Sequence, residues 1–171
     1  MNELTTLLDE ALEAWEEARE GVLAESEVIP DDRWDFRPAP VSRTVTELVR
    51  HIIESGLLMS GELSRTDGDF RRKEYAALLA EHASGVPEGA DPAGLREMLG
   101  TAHERGAAAL RAAGELHMLQ HIRRFDGKLG TRLAWMEHGV AHEYYHRGQL
   151  ALYVRQMGLV PALTRAIHGE G

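Results

Sequence analysis

Apolar residues recur at three- and four-residue steps from about residue 3 to residue 25 (Leu4, Leu7, Leu8, Leu12, Trp15, Val22), with Glu and Asp between them. That period gathers them on one face of an amphipathic helix. A second stripe, Val45, Leu48, Val49, Ile52 and Ile53, follows Thr44 and runs to about Leu63. Thr44 or Ser42 can cap it, and Glu47 stands three residues after Thr44 in the reciprocal arrangement of a capping box. Between the stripes lies IPDDRWDFRPAPVSRT, whose prolines remove backbone donors and turn the preceding residues away from helix. This segment reads as an ordered loop pinned by Trp34 and Phe36. Residues 66–91 lose the period, holding a short helix candidate over residues 70–83 and then the breaker cluster SGVPEGADP. A third long helix opens at Pro92, well placed after Asp91, and continues to about Ala113. Residues 115–129 mix alternation with turn residues and read as irregular or briefly extended. Over residues 131–157 apolar positions cover much of the helix circumference, which predicts a well-buried helix, and Gly158 stops it. Four long helices and no convincing strand pair predict an all-α four-helix bundle. Its long crossover connection joins helices two and three, and one domain spans residues 1–171.

Charge and composition narrow the chemistry. The 19 basic and 28 acidic residues give a formal net charge of −9, the wrong sign for gripping phosphate backbones, so no direct nucleic-acid partner is expected. The N-terminus is charged and amphipathic from the start, unlike a secretory signal, and no apolar stretch approaches the ~20 residues needed to cross a bilayer. A cytoplasmic protein without a membrane partner is expected. With no cysteine and nine histidines, thiolate metal sites, Cys nucleophiles and redox pairs are excluded. Any metal must be held by imidazole and carboxylate.

Three histidines, His138, His142 and His146, are spaced by four on the last helix. Each such step advances about 40° around the axis and about 6 Å along it, so His142 and His146 can chelate one ion. His138 lies a further turn back and suits the pocket better than the ion. Two imidazoles on an apolar helix face are costly to bury unless something satisfies them. Residues 142–146 spell HEYYH, which matches the H-E-x-x-H motif of zinc proteases with Glu143 as general base. The extended form of that motif fails, because Gln149 and Leu152 stand where it wants Gly and His, and Glu170 is the only later acid. The third ligand must come from upstream, where His51, central on helix two among apolar neighbours, is the best candidate. Three histidines with an open position describe a catalytic site rather than a structural one. His82, His103, His117, His121 and His168 read as surface or hydrogen-bonded residues.

HEYYHRGQLALYVRQMGLVP at 142–161, TELVRHIIES at 46–55 and WDFRPAP at 34–40 together resemble the DinB family of DinB/YfiT-like metal-binding four-helix bundles. The resemblance implies a crossover bundle, commonly a homodimer, with a divalent metal, zinc or nickel, on His51, His142 and His146. It further implies a small-molecule substrate and an activity of the low-molecular-weight-thiol S-transferase type, with a thiol such as bacillithiol or mycothiol. The alternatives are a non-catalytic stress- or damage-inducible protein that binds metal or a small molecule, and a metal-dependent hydrolase using Glu143. After Pro161 the sequence ALTRAIHGEG departs from the family pattern.

Neighbouring residues carry plainer expectations. Arg147 is a catalytic candidate that could bind an anion, or it pairs with a carboxylate. Gln149 can accept a hydrogen bond from a ligand imidazole. Glu143 either fills that role or faces solvent, with solvent favoured. Glu54 supports the site or lies on the surface, and Tyr144 and Tyr145 are core or dimer contacts.

Overall fold

The computed structural model describes residues 5–169. The expected helix start at residue 3 and the late acid Glu170 lie outside the described residues. Helix α1 spans Leu7–Val28, opened by a capping box between Thr6 and Asp9. A loop with a short 3-10 turn at Asp31–Arg33 leads to α2, Val45–Leu63, where Thr44 accepts from the Glu47 amide and the Glu47 carboxylate answers the Thr44 amide. Two satisfied donors at that point fix the phase of α2 and so the direction in which each of its side chains points. Trp34 is buried and Phe36 packs on Tyr153, so the loop is anchored as expected. Helix α3, Tyr75–Ala83, starts later than the predicted residue 70. Helix α4 spans Pro92–Ala113 with Asp91 as its cap.

Two features depart from the expected pattern. After the single turn α5, Glu115–Met118, the chain forms a small antiparallel hairpin, β1 at His121–Arg123 and β2 at Leu129–Thr131, with Ile122 opposite Gly130. The sequence predicts at most a brief extended stretch here and no convincing strand pair, although Asp126-Gly127 is a turn signal. Strands of three residues are too short to show alternation. Helix α6, Arg132–Gln156, follows with Thr131 as cap, and then a seventh helix, α7, Ala162–His168, which periodicity did not reveal. The buried Glu25 carboxylate on α1 holds α7 in place by accepting from the Ala162 and Leu163 amides at 2.9 and 3.2 Å.

The four long helices pack α1 against α6 and α4, and α2 against α4 and α6. Their directions follow from two apolar clusters. One gathers Val22, Val49, Leu95 and Val154, the other Leu12, Leu63, Leu110 and Met136. Hence α1 and α6 run one way and α2 and α4 the other, so residues 64–91 must travel back along the bundle before α4 can begin. That crossover is stitched to the hairpin, with Phe70 donating to the Arg123 carbonyl at 2.9 Å. Arg19, Ser60 and Glu143 are buried polar residues within the bundle. No helix among the described residues is long and apolar enough to cross a membrane.

Candidate metal centre

Antiparallel packing of α2 on α6 brings His51 against His142 and His146. His142 Nε2 lies 3.2 Å from His51 Nε2 and 3.0 Å from His146 Nε2, and a ligand atom from each of the three lies within 4.8 Å of the others. Nitrogens bound at about 2.0–2.1 Å around a tetrahedral zinc stand about 3.3 Å apart, so the spacing suits a shared ion. Protonation fits as well. Burial, helped by the charge of Arg43 and by the other two rings, pulls His51 down to about 4. Burial and the neighbouring His146 likewise pull His142 down to about 4. His146 is lowered by burial, against the opposing bond to Gln149. All three imidazoles are therefore neutral at neutral pH, the form that ligates. His146 Nδ1 donates to Gln149 Oε1 at 2.7 Å, which leaves the Nε2 lone pair for an ion and locks the ring. His51, His142 and His146 are thus brought together as their spacing predicted, and Gln149 takes the supporting place expected of it.

The other candidates separate. His138 is exposed, stacks on Trp135 with centroids 4.6 Å apart at 19°, and lines the cavity beside the triad rather than joining the three converging nitrogens. Glu143, expected to bond a ligand histidine or face solvent, does neither. It is 2% exposed, with Oε1 accepting from Trp15 Nε1 and an Arg19 Nη, both at 2.6 Å, and Oε2 accepting from Arg19 Nε at 2.9 Å. Three of the roughly four acceptor directions of a carboxylate are thereby filled. Arg19 also donates to the Leu99 carbonyl at 2.8 Å, tying α4 into the same knot. Gly56 makes room for it, because a Cβ there would stand 2.7 Å from the Arg19 guanidinium.

Arg147 turns away from the triad. Its guanidinium lies over Gly21 of α1 and lines a separate cleft with Tyr144 and Arg155, and no carboxylate pairs with it among the described residues. Glu54 pairs with Arg50 at 2.7 Å. Tyr144 packs on the core, whereas Tyr145 is 64% exposed, its ring edge-on to His146. Of the remaining histidines, His82 meets Glu62 at 2.6 Å and His117 meets the Leu63 carbonyl at 2.8 Å. His103 packs on Trp15, and His121 and His168 are exposed. Glu62, Glu81 and His82 also cluster, but Arg72 and Lys73 already neutralise them. Arg43 is the charged neighbour of the triad that sequence reasoning missed. It sits in the loop before α2, where nothing in the sequence points toward α6.

A cavity of about 280 Å3 has His142 in its wall, together with Glu143, Ser55 and Met59 from the bundle and Tyr75 and Phe125 from the crossover and the hairpin. An ion on the triad would thus lie beside a space large enough for a small molecule.

The same architecture recurs in solved structures. The DinB-like protein YjoA of Bacillus subtilis is 25% identical and covers 87% of this chain and 92% of its own, with a TM-score of 0.66. Its sequence aligns at 26% identity over 136 residues, 78% of this chain and 79% of YjoA. YfiT of Bacillus subtilis is described as a probable metal-dependent hydrolase with an unusual four-helix bundle topology. It is 20% identical over 93% of both chains, with a TM-score of 0.70. A mycothiol-dependent maleylpyruvate isomerase is 15% identical and covers 86% of this chain and 63% of its own, at a TM-score of 0.66. These last two likenesses speak to the fold. The sequence profile of the DinB family runs over residues 1–168, taking in both helices that carry the triad, and the chain belongs to that family.

Proposed function

We propose that the protein is a divalent-metal-dependent enzyme of the low-molecular-weight-thiol S-transferase type, with His51, His142 and His146 holding the ion. The observation that carries this reading is the convergence of three neutral imidazole nitrogens beside a cavity. Three protein ligands leave a position for a reactant, and a bound divalent ion favours the thiolate form of a sulfur. The chain has no cysteine, so the sulfur must arrive with a small thiol. In the transfer the thiol proton passes to solvent, a bond forms between sulfur and the electrophilic carbon, and the leaving group departs with its bonding pair. The chain's residues hold and orient. Gln149 fixes the His146 ring, and the Arg19–Glu143 pair fixes the phase of α6 next to His142. The mycothiol-dependent isomerase with the same fold supports a thiol partner, and three imidazoles suit zinc or nickel.

The test uses untagged protein loaded with zinc or nickel, supplied with bacillithiol, mycothiol or glutathione and an electrophilic reporter. Thiol consumption above a His142→Ala control is expected, and none with any thiol would overturn the reading. A metal-dependent hydrolase is the second reading, supported by the description of YfiT. Glu143 is poorly placed to serve it as a base, since Arg19 and Trp15 occupy its carboxylate. Ester cleavage that survives Glu143→Gln and fails in His142→Ala would favour hydrolysis without that base.

A further inference from the structure

The cavity beside His142 has a composition of its own. Its outer walls are aromatic and come from three separate parts of the chain: Trp135 on α6, Phe125 on the hairpin turn and Tyr75 at the start of α3. Phe70 packs behind them, 5.0 Å from Phe125 and 5.9 Å from Trp135, and Phe125 stands 5.9 Å from Tyr75. Yet Tyr75 is 47% and Phe125 38% exposed, so this cluster leaves ring surface facing the opening. No Lys or Arg lines the cavity, and its one acid, Glu143, is already matched by Arg19. In the metal-free protein an anionic group entering there would lose its hydration and meet neither Lys nor Arg. At the inner end, the Ser55 hydroxyl is out of contact with solvent and has no hydrogen-bond partner. Gly139 brings α6 close to α2, since a Cβ there would fall 1.9 Å from the Met59 sulfur, and a thioether is a good lining for ring faces. At about 280 Å3 the space is just below the usual range of ligand sites, about 300–1,000 Å3, and fits a group of one or two rings.

We propose that this cavity is the site for the second substrate and takes an uncharged aryl group, its flat faces against Trp135, Phe125 and Tyr75 and its polar end toward Ser55 and His142. The assignment of that group as the electrophile rests on the S-transferase reading, whereas its binding does not.

Calorimetric titration of the metal-free protein with 2-naphthol and with 2-naphthoate, both in the absence of thiol, separates the two. Wild-type protein should bind 2-naphthol at least about tenfold more tightly than the anion, given the lost hydration of a carboxylate. Trp135→Ala should weaken 2-naphthol about tenfold, the scale of a lost ring contact and its buried area. Phe125→Ala, on the exposed hairpin turn, should act in the same direction without disturbing the bundle, and Leu152→Ala, exposed and outside the cavity, should change nothing. Equal binding of the two probes, or 2-naphthol affinity untouched in both aromatic variants, would overturn the proposal. Thiol transfer to a small aliphatic electrophile, measured separately, reports on the S-transferase reading alone.

Discussion

His142 and Glu143 are consecutive on α6, yet they enter two polar clusters of opposite character. On the α1 side, Glu143 meets Arg19 and Trp15, and charge and hydrogen bonds are complete within the protein. On the α2 side, His142 meets two further imidazoles, all neutral, and Nε2 faces Nε2 with no carboxylate among them. Burial has been made tolerable in two ways. The first cluster carries its own counter-ion, while the second gathers three imidazole nitrogens without one. A buried polar group in a bundle therefore points to a ligand only when its partners cannot satisfy it.

The largest expected effect strikes the second cluster. His51→Ala, His142→Ala or His146→Ala should each reduce bound metal in untagged protein from one equivalent to background by elemental analysis, with helix content by circular dichroism unchanged. Retention in His51→Ala would shift attention to His138. In the first cluster, Arg19→Met should cost about 3–5 kcal/mol in urea unfolding, because it strands a buried carboxylate, while metal content stays at one equivalent. Adding Glu143→Leu should recover much of that loss, and a double variant no more stable than the single would contradict a self-contained ion pair. Gln149→Leu should weaken metal binding about 10–100-fold in chelator competition, leaving the ligands in place. The last effect concerns pH. His51 and His142 lie at about 4 when folded, against 6.5 for the ordinary side chain, so the unfolded chain binds more protons between those values. Metal-free protein should therefore lose stability as pH falls from about 6.5 to about 4, and the metal-loaded protein should lose more, since protons then compete for the ligands. A flat urea midpoint across that window would show that the three rings are not held neutral.

Much of the frame is legible in the sequence where its determinants are local. Thr44 with Glu47, and Asp91 with Pro92, mark helix starts by residues no more than three positions apart, and α2 and α4 begin where those signals stand. The triad is legible for another reason: imidazoles on an apolar face demand a partner wherever it lies in the chain. Long-range partners of ordinary residues leave no such trace. The cap that holds α7 comes from Glu25, 137 residues earlier, and Glu143 turns from solvent into the core because of Trp15 and Arg19, 128 and 124 residues away. Nothing around residue 143 indicates that choice. The hairpin is an intermediate case, with a readable turn and strands too short to confirm it.

Because α2 and α4 run in the same direction, residues 64–91 must return along the outside of the bundle, free of the heptad-like spacing imposed on the four long helices. Tyr75 rides on that return path, and Phe125 on the hairpin stitched to it. The floor of the cavity belongs to the rigid frame and its roof to surface chain, which tolerates insertion and replacement. Lengthening or recolouring that roof can retune which molecules are admitted while the imidazoles beneath keep their places.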